Sequence, residues 1–292
     1  METNSQPHIL KGLAPREALR EKLDLQVRAF SSVPKLVIVQ VGDREDSNVY
    51  IKQKIDFGQS IGVDVIHKKF PGTTTQDELQ KEIESLNADS SVTAMIVQLP
   101  LPSHIPTSVL ECIESKKDVD CLTEYHQEQL AKGAMYSSPA TAKAVLTLLM
   151  YYKVPIIGKH AVVIGRSTLA GGPIAELLKI SGAAVSVIHR ETKNPQEISR
   201  TADILVVACG VPGFVTKEWI DSSMSTTVID VGIHRTEGGL VGDVDAESVY
   251  PYIHALSPVP GGVGPLTVAC LFEQLVYIHM HGTDTSSLSH VV

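Results

Sequence analysis

Residues 160–173 read His160-Ala-Val-Val-Ile-Gly165-Arg-Ser-Thr-Leu-Ala-Gly171-Gly-Pro173. An apolar run leads into a glycine-bearing loop, and Pro173 then stands where the first residue of a helix is expected. Glycines let the backbone approach a phosphate, and a helix N-terminus attracts an anion. The spacing differs from Gly-x-Gly-x-x-Gly, but the physical requirements are the same. The stretch therefore predicts a strand, a phosphate-binding turn and a helix.

The rest of the chain continues this alternation of strands and helices. Further strands are predicted at residues 35–41, 64–70, 92–99, 184–188, 203–207 and 226–230, and helices at 14–30, 47–61, 75–87, 141–152 and 266–280. Such alternation is typical of βαβ units in parallel sheets. We expect an α/β protein of two domains: residues 1–140 with a C-terminal helix at about 268–292, and residues 141–267.

Composition narrows the class of protein. The 292 residues are 43% hydrophobic and 20% charged, which is enough for a sizeable core, and the net charge of −8 argues against nucleic-acid binding. No apolar run long enough to predict a membrane span is seen, and the first residues resemble neither a secretory signal nor a transit peptide. The four cysteines are widely spread, which favours reduced thiols over a metal site or disulfides. We expect a cytoplasmic protein.

Tyr50 and Lys54 stand four residues apart, just after the strand predicted at residues 35–41. With Ser47 as its N-cap, a helix here carries both side chains on one face. A lysine at the carboxyl end of a parallel strand can be partly desolvated, which lowers its pKa toward the range useful for proton transfer. The alternative is a solvated surface lysine beside a core tyrosine, and this stretch alone leaves both open.

Two polar residues follow on the same predicted sheet. Gln98 ends the strand at residues 92–99, and Asp120 lies in Lys116-Lys-Asp-Val-Asp120. An amide and a bidentate carboxylate suit a flat heterocycle with adjacent N–H donors. The competing interpretations are a glutamine that faces water at a strand end and an aspartate that caps a helix.

The residue that follows the strand at 184–188 indicates the nucleotide. Arg190 stands 25 residues after Gly165, near the position where NAD sites usually carry an acid for the ribose hydroxyls. With Arg166 it would instead pair with a 2′-phosphate, which favours NADP. The neighbouring Glu191 complicates this interpretation, and Arg190 as a simple surface charge remains the alternative.

A proline- and glycine-rich run, Ser257-Pro-Val-Pro-Gly-Gly-Val-Gly-Pro-Leu-Thr267, precedes the last predicted helix. These residues restrict the backbone to a tight fixed loop, and an X-Pro bond here is a candidate for the cis form. The loop could present backbone N–H groups to a cofactor. The Ser/Thr-rich tail at residues 283–292 is expected to be loose.

Five motifs occur in one order along nearly the whole chain: Tyr50-x-x-x-Lys54, Val97-Gln98-Leu-Pro100, Lys117-Asp-Val-Asp120, Gly165-Arg-Ser-x-x-x-Gly171-x-Pro173 and Pro258-Val-Pro-Gly-Gly-Val-Gly-Pro265. Together they resemble the bifunctional methylenetetrahydrofolate dehydrogenase/methenyltetrahydrofolate cyclohydrolase (FolD-type) family. The last motif is highly specific. The resemblance implies two α/β domains around a cleft: an N-terminal parallel-sheet domain for folate, and a C-terminal Rossmann-like domain for NADP, after which the last helix returns to the first domain. It also implies a homodimer.

The resemblance also implies roles for residues. Lys54 is implied as the general acid/base, Tyr50 as the residue that stacks on the pterin and orients Lys54, and Gln98 as the catalytic partner that tunes Lys54. The implied folate-binding set is Tyr50, Lys54, Gln98, Asp120, Pro260 and Gly261. The implied NADP contacts are Thr141, Gly165, Arg166, Ser167, Arg190, Ile233, Gly264 and Thr267.

Two positions depart from the family pattern. The family's Pro-Cys-Thr-Pro-x-Gly is here Pro139-Ala-Thr-Ala-Lys-Ala144, which keeps the threonine but loses the second proline and the glycine. Cys121 stands where the family usually has glycine after the aspartate, which puts a side chain near the expected folate site.

The implied activity belongs to one-carbon metabolism. It is oxidation of 5,10-methylenetetrahydrofolate with NADP and hydrolysis of the methenyl product to 10-formyltetrahydrofolate, in one shared cleft and without a metal. The alternatives are a monofunctional dehydrogenase of the same family, a shikimate-dehydrogenase-like NADP oxidoreductase and a non-catalytic dinucleotide sensor.

Overall fold

The computed structural model describes residues 7–223 and 225–281 of the chain. Its helices are α1 (Leu13–Arg28), α2 (Glu45–Ser60), α3 (Gln76–Ala88), α4 (Glu124–Ala131), α5 (Ala140–Tyr151), α6 (Gly171–Ile180), α7 (Pro195–Ser199), α8 (Ala246–Val249) and α9 (Val263–His281). Its strands are β1 (His8–Ile9), β2 (Lys35–Val41), β3 (Asp64–Phe70), β4 (Ala94–Val97), β5 (His160–Ile164), β6 (Ala184–Ile188), β7 (Ile204–Val207), β8 (Thr227–Asp230), β9 (His234–Thr236), β10 (Gly239–Val241) and β11 (Ala255–Ser257). The tail at residues 283–292 lies outside the described residues.

The described residues form two compact units. The six-stranded unit holds residues 7–17 and 141–267, and the three-stranded unit holds residues 18–140 and 268–281. We expected all of residues 1–140 in one domain, but residues 7–17 group with the six-stranded unit. The reason is non-local pairing, because β1 runs parallel to β11 and the Gly12 amide donates to the Gly261 carbonyl at 2.8 Å.

The six-stranded sheet has the order β1-β11-β8-β7-β5-β6, with every neighbouring pair parallel. Its central strands are apolar and buried, as expected for a sheet covered on both faces. The chain passes from β5 outward to β6 and then crosses to β7 on the other side of β5. Ligands bind outside the carboxyl ends of the strands at such a switch point, so the loop that begins at Gly165 lies where a ligand is expected.

The three-stranded sheet repeats this arrangement on a smaller scale. Its order is β3-β2-β4, with both pairs parallel and β2 in the centre. The core of this unit lies around buried residues of β2, β4 and α3, such as Val39, Met95 and Ile83. Because β2 and β4 are parallel neighbours, their carboxyl ends lie side by side. The loop that leads from β2 into α2 and the segment that follows β4 therefore leave the sheet at the same end.

Three predicted helix starts are wrong. The helix α2 begins at Glu45 after Arg44, with no side-chain cap, so Ser47 is not its N-cap but a buried residue of the first turn. The helix α6 begins at Gly171, which makes Pro173 its third residue. The helix α9 begins at Val263, inside the proline- and glycine-rich run rather than after it. In each case the helical backbone begins two or three residues before the position that the local sequence signal indicated.

The helix α9 is, within the described part of the chain, the one helix long and apolar enough to cross a membrane by length and composition alone. However, 56% of its most apolar window is buried inside the protein. In the three-stranded unit its Phe272 ring lies 5.3 Å, between centroids, from that of Phe57 on α2. The apolar character of α9 is therefore that of a core helix.

Gly58 permits this packing of α9 on α2. A Cβ at position 58 would lie 2.9 Å from the Phe272 ring and would also collide with Val65. Replacing a glycine by alanine in an exposed helix stabilises it by about 1 kcal/mol. Here the collision reverses the sign, because overpacking a filled core costs about 1–3 kcal/mol.

We therefore predict that Gly58→Ala lowers the free energy of unfolding by about 1–3 kcal/mol. The measurement is urea unfolding followed by circular dichroism. Gln59→Ala is the matched control, since Gln59 is the exposed neighbour on the same helix. A Gly58→Ala protein as stable as the control would contradict the packing described here.

Candidate active site

Lys54 and Gln98 meet in the three-stranded unit. Lys54 lies in the third turn of α2, and its Nζ donates to Gln98 Oε1 at 3.0 Å. The Gln98 Nε2 donates to the Leu99 carbonyl at 2.8 Å, and this second bond fixes which end of the amide faces the lysine. Tyr50, one turn before Lys54 on the same face, is 39% exposed. The structure thus brings Gln98 to Lys54, which lies 44 positions earlier in the chain, and Tyr50 lies one turn before Lys54 on the same helix.

Asp120 forms an electrostatic pair with Lys54. Burial lowers the pKa of the Lys54 amine, and the charge of Asp120 opposes part of that shift. Burial likewise raises the pKa of the Asp120 carboxyl, with Lys54 acting against the shift and Asp118 adding to it. Both groups therefore move toward their neutral forms, and the energy needed to move a proton between them falls. A lysine held in this way is suited to general acid–base chemistry.

The segment that carries Asp120 is fixed from both sides. Lys117 Nζ donates to the carbonyls of Leu86, Asn87 and Asp89 at 2.7, 2.8 and 2.7 Å, which satisfies the C-terminal end of α3. Asp118 Oδ2 accepts from the amide and the hydroxyl of Thr123 at 2.9 and 2.8 Å.

Cys121 follows directly and has a φ of 55°, a left-handed conformation that favours glycine. Its side chain is fully buried, and its sulfur lies 3.8 Å from the carbonyl oxygens of Asp118 and Tyr136. The thiol that replaces the family's glycine therefore packs into the unit.

A chain of hydrogen bonds holds the first turn of α2. Gln40, which is 2% exposed on β2, accepts from His67 Nε2 at 2.8 Å and donates to Asn48 Oδ1 at 2.8 Å. Asn48 in turn donates to Asp43 Oδ1 at 2.8 Å. Since α2 lacks a side-chain N-cap, these bonds fix the end of the helix that leads to Tyr50. The sequence analysis missed Gln40, although a glutamine within an apolar strand is a recognisable signal.

In the six-stranded unit, Gly165 and Gly171 form a tight turn between β5 and α6. Gly165 has a φ of 114°, and its amide donates to the Ile188 carbonyl at 2.9 Å. A side chain on Gly165 would collide with the Ala208 carbonyl, and one on Gly171 with the Gly165 carbonyl. The first turn of α6 carries no acid. These features fit a nucleotide phosphate at the N-terminus of α6.

Two buried aspartates set the loops after β7 and β8. Asp243 Oδ2 accepts from the amides of Cys209 and Gly210 at 2.7 and 2.8 Å, and its Oδ1 lies 2.7 Å from His234 Nε2. Asp230 accepts from the amides of Gly232, Asp243 and Val244 at 3.1, 2.9 and 3.0 Å, although burial raises its pKa to about 7. The sequence analysis missed both residues. Their bonds hold the loop that presents Ile233, which is 46% exposed.

The expected 2′-phosphate pocket contains three charged side chains. Arg166 and Arg190 are exposed at the carboxyl ends of β5 and β6, and Glu191 lies between them. Ser167 is exposed beside Arg166. The two cations fit a phosphate group, whereas the carboxylate does not.

The remaining predicted site residues belong to the six-stranded unit. The bond between Val259 and Pro260 is cis, in accord with the expectation for this run, and Gly261 has a φ of 102°. Gly264 has open space where a Cβ would stand, and the Thr267 hydroxyl donates to the Val263 carbonyl at 3.3 Å within α9. Thr141 is half-buried in the first turn of α5. Within residues 7–223 and 225–281, no cluster of three or more His, Cys, Asp or Glu side chains is placed to hold a metal.

Two family profiles match the chain. Residues 10–120 match the tetrahydrofolate dehydrogenase/cyclohydrolase catalytic domain, and residues 139–282 match the NAD(P)-binding domain of the same family. The chain is 37% identical over 274 residues to bifunctional protein FolD 2 of Lactobacillus johnsonii, covering 92% of this chain and 96% of that protein. The chain belongs to the tetrahydrofolate dehydrogenase/cyclohydrolase family.

Other members of this family show how the chain compares in length and fold. The mitochondrial C-1-tetrahydrofolate synthase of Saccharomyces cerevisiae is 40% identical over 287 residues, which cover 93% of this chain but only 29% of that protein. The solved FolD of Trypanosoma brucei, complexed with NADP cofactor and inhibitor, has a TM-score of 0.87 and 34% identity, and the match covers 95% of this chain and 98% of that one.

These comparisons confirm the predicted tetrahydrofolate dehydrogenase/cyclohydrolase family, the two-domain α/β fold, the enzyme class and NAD(P)-type cofactor. They set aside the shikimate-type enzyme and the non-catalytic sensor as alternatives.

For this family member we predict that Asp120→Asn lowers the pKa of Lys54 further. The substitution removes the negative charge that opposes the effect of burial, so the protonated amine becomes less stable. The measurement is an NMR titration of the Lys54 side chain, assigned by the signal that disappears in Lys54→Met. An unchanged or higher midpoint in Asp120→Asn would show that the two groups do not interact.

Proposed function

We propose that this chain oxidises 5,10-methylenetetrahydrofolate with NADP to the methenyl compound and hydrolyses that product to 10-formyltetrahydrofolate. The observation that carries the proposal is the desolvated amine of Lys54, which donates a hydrogen bond to Gln98. Burial lowers the pKa of this amine, and the charge of Asp120 limits that shift. An exposed lysine in this position would stay protonated at neutral pH and could not act as a base. The proposed hydrolysis requires a group that can transfer protons at the reacting carbon of the folate.

In the oxidation, the protein's main contribution is position. We propose that Tyr50 stacks on the pterin and that the Asp120 carboxylate anchors the adjacent N–H donors of that ring. Pro260 and Gly261 are proposed as further folate contacts. The nicotinamide of a bound NADP would supply the hydride acceptor, and the folate nitrogens would stabilise the cation left on the methylene carbon. Little acid–base assistance is needed in this step, so holding the reactants in place supplies most of the rate.

In the hydrolysis, Lys54 transfers protons. The neutral amine takes a proton from the water that attacks the methenyl carbon, and the resulting ammonium gives that proton to the ring nitrogen. The carbon–nitrogen bond then breaks as the new hydroxyl becomes the formyl carbonyl, and the hydroxyl proton passes to the amine and from there to solvent. Burial makes the neutral form accessible, and Asp120 limits the shift so that the amine remains a useful acid. Gln98 is proposed to hold the amine toward the carbon through its fixed carbonyl oxygen. Both reactions act on the same carbon, so one bound folate can undergo both.

We propose that the turn from Gly165 to Ser167 and the N-terminus of α6 hold the pyrophosphate of NADP. Arg166 and Arg190 are proposed to bind the 2′-phosphate, which an arginine pair recognises by charge and by paired N–H donors. Thr141, Ile233, Gly264 and Thr267 complete the proposed cofactor contacts. The collisions that a Cβ would cause at Gly165 and Gly171 support this assignment.

We further propose a homodimer. The strand β6 is an edge of the six-stranded sheet, and its Val187 is 38% exposed. Exposed apolar edge strands are sites where a second chain adds. A monomer mass at micromolar concentration in analytical ultracentrifugation would disprove this. The cytoplasmic location and the absence of nucleic-acid and membrane partners stay predictions.

We predict that Lys54→Met loses about 100-fold or more of the cyclohydrolase rate, the usual contribution of a positioned acid–base group. Dehydrogenase activity should survive, because that step depends on positioning. Spectrophotometric assays of methenyltetrahydrofolate formation and decay separate the two activities. Lys52→Met is the control, since Lys52 is exposed and pairs with Asp56 on the same helix. Hydrolysis by Lys54→Met at the rate of the unmodified protein would remove Lys54 from the mechanism.

We also predict that Arg190→Ala weakens NADP binding by about tenfold while NAD binding changes little, because only NADP carries the 2′-phosphate. Calorimetric titration with each nucleotide measures the difference. Lys179→Ala, which removes a charge at the other end of α6, serves as the control. Equal weakening for both nucleotides would contradict the assignment of Arg190.

A further inference from the structure

We propose that Glu191 determines how strongly this enzyme prefers NADP over NAD. Its carboxylate competes with the 2′-phosphate for Arg166 and Arg190 and thereby weakens the preference for NADP. This inference rests on the NADP site proposed above. It concerns the three charged side chains at the carboxyl ends of β5 and β6, which the sequence analysis left unresolved.

The turn after β6 holds Glu191 in place. The His189 amide donates to Thr192 Oγ1 at 2.9 Å, and the Thr192 amide donates to the His189 carbonyl at 2.8 Å. The Glu191 amide adds a longer bond to His189 Nδ1 at 3.3 Å. The backbone at positions 190 and 191 is therefore fixed by its own neighbours. Arg190 and Glu191 must leave this turn side by side.

The carboxylate of Glu191 lies within ion-pair distance of both arginines. Its Oε2 lies 3.8 Å from Arg166 Nη2, and its Oε1 lies 3.8 Å from Arg190 Nε. These distances are those of ion pairs and are too long for hydrogen bonds. The three side chains are 57%, 87% and 63% exposed for Arg166, Arg190 and Glu191. Neither arginine is therefore locked to the acid, and each can turn to an incoming phosphate.

The charges explain why Glu191 affects the two nucleotides differently. A phosphate monoester carries between one and two negative charges at neutral pH, so it is attracted by the arginines and repelled by the carboxylate. NAD lacks this phosphate and presents two ribose hydroxyls instead. These hydroxyls can donate hydrogen bonds to a carboxylate in this part of the sheet. The turn thus carries a determinant for each nucleotide. Removing the acid should favour NADP and give NAD no benefit.

The size of the effect follows from the exposure of the site. Solvent and salt screen charges at a surface, so interactions of this kind change binding by severalfold rather than by orders of magnitude. We expect Glu191→Gln to raise kcat/KM for NADP on the order of threefold to tenfold. The glutamine keeps the length and shape of the side chain, so the turn should be preserved.

The experiment compares the unmodified protein with Glu191→Gln in kcat/KM and in calorimetric Kd for NADP and for NAD. Glu237→Gln is the control, because it removes an equal charge from the exposed β9–β10 hairpin of the same unit. The proposal requires the ratio of kcat/KM for NADP to kcat/KM for NAD to rise in Glu191→Gln and not in Glu237→Gln. It also requires the rise to shrink when Arg190→Ala is added, since part of the effect of the acid is exerted through that arginine. A second check is salt, because the gain should fall as ionic strength rises.

An unchanged ratio in Glu191→Gln, or an equal rise in Glu237→Gln, overturns the proposal. So does a full-sized gain in the absence of Arg190. Failure of the broader function has a different signature: the unmodified protein would then not oxidise 5,10-methylenetetrahydrofolate with either nucleotide, while the two dissociation constants would still report on Glu191.

Discussion

In each unit the order of parallel strands determines where chemistry can take place. The chain leaves β2 and β5 for a neighbour on one side and then crosses to a neighbour on the other side. Loops that leave the carboxyl ends of such strands diverge and open a space that side chains and ligands can enter. Lys54 and Gln98 meet at this edge in the three-stranded unit, and the Gly165 loop meets Ala208 there in the six-stranded unit. Both sites result from one constraint on parallel connections.

The two sites differ in how far their charged side chains are buried. In the three-stranded unit, a lysine and an aspartate are both desolvated, so each is driven toward neutrality and each partly restores the charge of the other. Each charge therefore limits the pKa shift that burial causes in the other group. In the six-stranded unit the charged side chains at the expected 2′-phosphate position remain exposed, and solvent weakens the interactions between them. Buried aspartates are used there for a structural purpose instead, since they hold backbone amides of the loops.

The sequence was sufficient for the long elements, because hydrophobic periodicity reports directly on burial. It was insufficient for short elements defined by distant partners. The two-residue strand β1 exists only because β11 lies beside it, and no local pattern identifies either strand. Of the site, the pairing of Lys54 with Gln98 was implied by the family resemblance, and the strand and helix positions of the two residues agree with it. Gln40, Asp230 and Asp243 did not, because a buried polar residue is explained only by the amides and side chains that surround it. The direction of the Cys121 thiol depended on a backbone angle that sequence does not reveal.

The three bonds from Lys117 to the end of α3 have a consequence for how this unit can vary. They connect the Asp120 segment to residues that lie 28–31 positions earlier in the chain. The position of that segment is thus set by the end of a helix, together with the backbone bridge between Asp118 and Met95 of β4. Insertions or deletions at the exposed positions of the intervening stretch, such as residues 103–104, can therefore accumulate over evolution without displacing the carboxylate, whereas a change of the ammonium anchor itself would release it.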